Sequence, residues 1–124
     1  MYNYQYPRAA LTVDAIVFVK AKRETSILLI KRGREPFKNK WALPGGFIEM
    51  DELLEQACIR ELEEETLLKV NKMTQFRTYD AINRDPRHRT ISVIFSTELK
   101  IKEKVKGSDD AAQAQWFSIN DLPE

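Results

Sequence analysis

Between positions 49 and 65 the chain carries eight acids, Glu49, Asp51, Glu52, Glu55, Glu61, Glu63, Glu64 and Glu65, and one base, Arg60. A run of charge is usually a solvated face. Helical geometry tests that reading. At about 100° per residue, with Glu61 at zero, Leu54 falls at about 20°, Cys58 at about 60°, Ala57 at about −40° and Leu53 at about −80°. These residues define the expected buried side. Glu65 at about 40° and Glu64 at about −60° fall inside the same sector, while Glu63 and Gln56 fall opposite and Ile59 fits the wheel worst. Glu61, Glu64 and Glu65 therefore continue the apolar stripe. Two like charges at 4 Å repel by roughly 1 kcal/mol in water and by several times more at a protein-like dielectric. Either the carboxyl pKa values rise or a cation sits among them. Oxygen ligands of this hardness suit Mg²⁺ or Mn²⁺, and carboxylate sites that keep metal waters are typical of phosphate chemistry.

The same stretch resembles the signature of the Nudix hydrolase family, G-x5-E-x7-R-E-U-x-E-E-x-G-U with U a bulky aliphatic. Here it reads Gly46, Glu52, Arg60-Glu61-Leu62, Glu64-Glu65, Leu67 and Leu68, with Leu67 in place of the last Gly. The run Trp41-Ala42-Leu43-Pro44-Gly45-Gly46 and the ending Trp116-Phe117…Leu122-Pro123 also look like the family, so the resemblance covers nearly the whole chain. It implies an α/β fold, an α/β/α sandwich around a mixed sheet, in which the signature forms a loop and the catalytic helix. It implies that Glu61 and Glu65 are metal ligands with Glu64 beside them, and that Gly46 offers a backbone carbonyl near the metal. Arg60 would pair with a signature glutamate, Glu52, and hold the ligands in place. A Gly at position 67 would take a left-handed conformation, which costs a Leu roughly 1–2 kcal/mol, so the helix is expected to end differently.

The implied reaction is attack of water on one phosphorus of a pyrophosphate linkage, by positioning and electrostatics rather than through a covalent intermediate. In the family the general base often comes from an acidic loop before the last Trp strand. Here that loop is Ser108-Asp109-Asp110, and Asp110 is favoured over Asp109; the alternative is that both acids only make a turn after Gly107. His88, between Arg87 and Arg89, reads as a surface or substrate-contact residue, and Cys58 as core. The basic runs Lys31-Arg32-Gly33-Arg34 and Arg84-Asp85-Pro86-Arg87 are either phosphate-binding or ordinary solvated loops. Arg32, Arg34 and Arg87 are the candidate substrate contacts, Arg87 for the far end. The combination Glu35-Pro36-Phe37…Lys40-Trp41-Ala42-Leu43-Pro44-Gly45-Gly46 with Asp85-Pro86-Arg87 looks like the ADP-ribose pyrophosphatase branch and its regulatory relatives. The implied products are AMP and ribose 5-phosphate.

The elements that must position these groups follow from periodicity. Residues 11–19 read as a strand whose middle, 15–19, is apolar on both faces, as a central strand covered on both sides would be, and residues 26–30 as a second. Residues 31–40 are a basic connector, and Pro44, Gly45 and Gly46 are expected to set unusual backbone angles. Asp51 is the expected N-cap of a helix over 52–66. Residues 73–81, 90–99 and 113–119 read as strands, with Ile91, Val93, Phe95, Thr97 and Leu99 on one face. Residues 100–107 read as a charged connector or an edge strand. Asn120-Asp121-Leu122-Pro123 looks like the start of a helix. Tyr2, Tyr4 and Tyr6 alternate, and packing on their own chain is preferred over stacking on a base or on a partner subunit.

With 124 residues, one domain over 1–124 is expected. Hydrophobic residues make up 43% and charged residues 31%, which excludes a disordered chain, and a net charge of +1 provides no global field for nucleic acid or an acidic membrane. A single cysteine and the lack of any long apolar run suit a cytoplasmic protein with no membrane contact. The partner expected is a nucleotide substrate; a homodimer is allowed. Two other readings compete with the ADP-ribose hydrolase: a domain that senses ADP-ribose or a sugar without cleaving it, and a Nudix hydrolase of another substrate such as a nucleoside triphosphate. Some relatives that sense are fused to a DNA-binding domain, for which a chain ending at Glu124 is expected to leave no room unless it is a fragment, and an intact acid set favours the enzyme. A non-catalytic structural domain is disfavoured by the cost of inward glutamates.

Overall fold

The computed structural model describes residues 3–82, 85 and 89–123. Arg84, Pro86, Arg87, His88 and Tyr2, named above, lie outside them. The described residues form one mixed sheet of seven strands and one helix. The strands are β1 (Ala10–Lys20), β2 (Thr25–Arg32), β3 (Trp41–Ala42), β4 (Gly45–Phe47), β5 (Thr74–Tyr79), β6 (Thr90–Leu99) and β7 (Ala111–Ser118), and the helix is α1 (Leu54–Thr66). β1 and β6 run parallel; the other pairings are antiparallel. No helix among the described residues is long and apolar enough to cross a membrane.

α1 packs on one face of the sheet. Val13, Ala15 and Val17 of β1, Leu28 of β2, and Val93 and Phe95 of β6 meet Ala57, Cys58 and Leu62 of α1 in one core. The expectation that the middle of β1 is covered on both sides needs correction: Ala15, Val17 and Val19 are buried, whereas Ile16 and Phe18 are only half-buried. The sheet face opposite α1 has no helix over it among the described residues.

β1 and β2 pair only at the Lys20–Thr25 end and then splay. The chain between 41 and 47 fills the fork. β3 pairs with β2 at Ile30 and Lys31, and β4 pairs with β1 at Thr12, Val13 and Asp14. The amide of Ala15 donates to the Pro44 carbonyl at 2.8 Å between them. The glycines are needed for space and not for special angles, because no glycine among the described residues has positive φ. A Cβ on Gly45 would strike the Val13 carbonyl and the Asp14 carboxylate. One on Gly46 would lie 2.7 Å from the Glu61 carboxyl carbon. The positive-φ positions of this region are Phe37 and Asn39, in the connector before β3.

Asp51 is not the N-cap; Leu53 holds that position, and its amide is taken by the Gln56 side chain at 3.0 Å. Residues 49–52 are held out of the helix because Glu52 receives the Glu49 amide at 2.9 Å and is also bound to Arg60. At the other end Leu67 adopts the left-handed conformation, φ 65° and ψ 9°, and donates its amide to the Glu63 carbonyl. The helix thus ends as the glycine form of the signature would, contrary to expectation, and Leu67 bears the strain. Residues 100–107 form a connector without strand pairing. It is tied to the helix terminus, where the amides of Lys106 and Ser108 donate to the last carbonyls, Thr66 and Glu65. The expected final helix is a turn, with Asp121 donating to the Ser118 carbonyl.

Candidate active site

Glu61 and Glu65 leave α1 one turn apart and reach toward the glycines in the fork. Glu65 is 5% exposed and accepts the Gly45 amide at 2.8 Å. Burial pushes its carboxyl up to about 8; the Gly45 N–H opposes the shift, and the charges of Glu61 and Asp110 add to it. Burial also raises Glu61 above the usual carboxylate range, against the pull of Arg60. The Arg60 guanidinium grips Glu52 with two hydrogen bonds, Nε to Oε2 at 2.7 Å and Nη2 to Oε1 at 2.8 Å. Its Nη1 donates to Glu61 at 2.7 Å and to Glu64 at 3.2 Å. The hydrogen bond to Glu52 is the main reason that Arg60 is held protonated far above its ordinary range, and the same bond lowers the Glu52 carboxyl. Arg60 thereby fixes one oxygen of Glu61 and leaves the other side of that carboxylate facing Gly46.

The expected inward position of Glu64 is corrected: its side chain is 42% exposed and flanks an outer depression with Leu67, Ser108 and Asp109. The buried arc lies further round the helix than Leu53 and Leu54 suggested. Leu62 and Thr66, at about 100° and about 140° on the wheel, are fully buried, Ile59 packs on the core, and Leu53 is 71% exposed. Shifting the centre in that direction keeps Glu65, leaves Glu61 at the border and turns Glu64 outward.

Gly46, Arg60, Glu61 and Glu65 line a cleft of about 740 Å³ together with Arg32, Arg34 and Asp110. Arg34 Nε pairs with Asp110 at 3.0 Å, an exposed contact. Arg32 Nε donates to the Pro36 carbonyl at 2.7 Å. Asp109 lies in the outer depression, so of the two loop acids Asp110 is the one on the cleft. Cys58 is buried and its thiol is pushed up to about 12, first by burial and then by the charges of Asp14 and Glu61, which makes it inert. Sequence reasoning missed Thr12, Asp14, Thr90 and Ser92, which also line the cleft, as does Asp85 of the loop singled out above. The signal for Asp14 was a charge inside the otherwise apolar run Val13-Asp14-Ala15-Ile16-Val17.

Among the described residues no three acid, His or Cys side chains form a closed metal cage. The donor set is instead the buried Glu65 and the half-buried Glu61, beside a glycine backbone and open to a cleft. That fits a hard divalent cation bound by one or two carboxylates, with water and phosphate oxygens completing its shell. When bound, such a cation would polarise phosphoryl oxygens and lower the pKa of a water.

The model of the NUDIX domain matches residues 9–124. The chain belongs to the Nudix family. An ADP-ribose pyrophosphatase of Methanocaldococcus jannaschii is 40% identical over 119 residues, which are 96% of this chain and 68% of that protein. The NUDIX domain of Shewanella oneidensis NrtR, solved with ADP ribose, superposes with a TM-score of 0.85 at 29% identity, covering 95% of this chain and 80% of that one. NrtR has also been solved with a 27mer DNA; that structure gives a TM-score of 0.66 at 29% identity over 89% of this chain and 51% of that one. A bifunctional NMN adenylyltransferase/ADP ribose pyrophosphatase from Francisella tularensis, solved with AMP and a Mn ion, gives 0.83 at 34% identity. This Nudix chain covers 36% of that protein's length, and 94% of its own residues take part.

Proposed function

We propose that this Nudix domain is a pyrophosphohydrolase that cleaves ADP-ribose to AMP and ribose 5-phosphate, with Mg²⁺ or Mn²⁺ held by Glu61 and Glu65. The observation that carries the reading is a buried carboxylate, Glu65, and a half-buried one, Glu61, facing a cleft whose other walls hold Arg32 and Arg34. Glu64 serves at the rim, beside Arg60. Water oxygen bonds to one phosphorus, the bridging P–O bond breaks, and the bridging oxygen leaves with the other phosphate. Asp110 is our candidate acceptor for the proton of water. Its pair with Arg34 is exposed and weak, so a diphosphate that engages Arg34 frees the carboxylate. We place the protein in the cytoplasm, as a monomer or homodimer, with a nucleotide as its partner and no nucleic acid.

The likeness to the ADP ribose-bound NrtR domain supports a second reading, in which ADP-ribose is bound and not cleaved. One experiment separates the readings. The protein is incubated with Mg²⁺ and equal concentrations of ADP-ribose and several nucleoside triphosphates, and the products are separated. ADP-ribose is expected to be cleaved fastest. Rapid triphosphate turnover with inert ADP-ribose would replace the substrate, and ADP-ribose binding without turnover would leave a sensor.

A further inference from the structure

The cleft continues past the acids onto the sheet face that α1 leaves uncovered. Thr12 and Asp14 of β1 and Thr90 and Ser92 of β6 border it there, with Asp85 from the preceding loop. Thr12 and Ser92 are direct neighbours across the parallel pair, and their hydroxyls hydrogen-bond at 2.5 Å. Thr90 stands opposite Ala10, two residues further along, and donates to Asp85 at 3.4 Å. At about 3.3 Å per residue this wall extends roughly 7 Å, the width of one sugar ring. Thr12 pairs with Phe47 next to Gly46, so the wall begins one register step from the glycine that touches Glu61.

The plain alternative is that these are hydroxyls satisfied within the sheet. They do bond there, Thr12 to Ser92 and Thr90 to Asp85, so a sugar would exchange partners with them; what marks this stretch out is the change of character along the strands. The next positions on the same face are Ile16 and Phe18 in β1 and Ile94 in β6, and none of these borders the cleft. Thr90 and Ser92 are each 2% exposed, polar side chains buried where apolar ones would pack more favourably. Hydroxyls both donate and accept, and carboxylates accept, which matches the hydroxyls of a sugar. Asp14 and Asp85 would repel a phosphate, and Arg32 pairs in the strand with Ala111 and Arg34 with Asp110, at the other end of the cleft.

We infer that Thr12, Thr90 and Ser92, with Asp85, form a subsite that receives the hydroxyl groups of an unphosphorylated sugar on the far side of the diphosphate. The inference rests on the proposed function and names the specificity determinant of that site. The subsite makes the cleft prefer a nucleoside diphosphate that ends in a free sugar over one that ends in a phosphate.

The test is calorimetric binding of ADP-ribose, of ADP, and of ADP-ribose phosphorylated on its distal ribose, all in EDTA so that turnover does not interfere. The proteins are wild type, Thr12→Val, Ser92→Ala and, to keep the hydroxyl, Thr12→Ser. Wild type should bind ADP-ribose at least tenfold more tightly than the phosphorylated form. Thr12→Val and Ser92→Ala should each weaken ADP-ribose by about fivefold, the scale of one hydrogen bond, and ADP by less than twofold. Thr12→Ser should retain the wild-type pattern. Equal weakening of ADP and ADP-ribose, or no weakening of either, would overturn the subsite, even with ADP-ribose hydrolysis intact in Mg²⁺. Wild type that neither binds nor cleaves ADP-ribose would remove the proposed function and the subsite with it.

Discussion

Glu65 is the residue on which the account leans most. Its carboxylate has one backbone donor, Gly45, and almost no water. Because the native carboxyl sits at about 8 against an ordinary 4.5, the native state binds a proton that the unfolded state has released. The contribution of Glu65 to stability is thus fully present below about pH 4.5 and is lost as pH rises toward about 8. The loss is on the order of a few kcal/mol. Glu65→Gln keeps the acceptor for Gly45 and removes the charge. In EDTA at pH 8 its melting temperature should exceed that of wild type, and at pH 4.5 the two should converge. A wild-type advantage at pH 8 would contradict the buried-carboxylate picture. Glu64→Gln should leave the melt unchanged, because that side chain is solvated. At this scale the acids were legible in the sequence from spacing alone, but which of them turn inward was not. That depended on Leu62 and Thr66, whose full burial sets the rotation of the helix.

At the scale of elements, the fork between β1 and β2 and the two ends of α1 decide where the acids sit. β1, β2, β5, β6 and β7 were legible to within a few residues from their apolar or alternating runs between charged turns, whereas β3 and β4 were read as a turn. The fork was not legible, since it depends on the register of β1 with both β2 and β4. The role of the glycines was misread for the same reason: clearance from Asp14 and Glu61 is a tertiary fact. Leu67 shows local cost overruled by context. Its amide bond to Glu63 and the docking of Lys106 and Ser108 on the helix end hold the chain in the left-handed turn. Leu67→Gly should remove about 1–2 kcal/mol of backbone strain and add about 0.5–1 kcal/mol of unfolded-state entropy. The net gain should be roughly 0.5–1 kcal/mol, with a rise in melting temperature of roughly 2–4 °C. A lower melting temperature would mean that the 55% exposed side chain contributes more by packing than its conformation costs.

The molecule as a whole has a net charge of only +1, so no global field guides a ligand and local charges, such as those of the cleft, must do so. Acids on α1, cations on β2 and the following connector, and hydroxyls on β1 and β6 are brought together by a single sheet. The family and its mixed sheet were legible because the signature's residues must keep helical spacing to function. The wall of Thr12, Thr90 and Ser92 was not, because its members are adjacent only through a parallel pairing of strands 80 residues apart in sequence. The central claim is that Glu61 and Glu65 hold a divalent metal that hydrolyses ADP-ribose. It is tested most directly by following AMP and ribose 5-phosphate release from ADP-ribose by wild type, Glu61→Gln and Glu65→Gln, each in EDTA and after Mg²⁺ is restored. Wild type should release equal amounts of the two products in Mg²⁺ only, and either folded variant should release them at least a hundredfold more slowly. Undiminished release in excess EDTA, or full activity of Glu65→Gln, would contradict it.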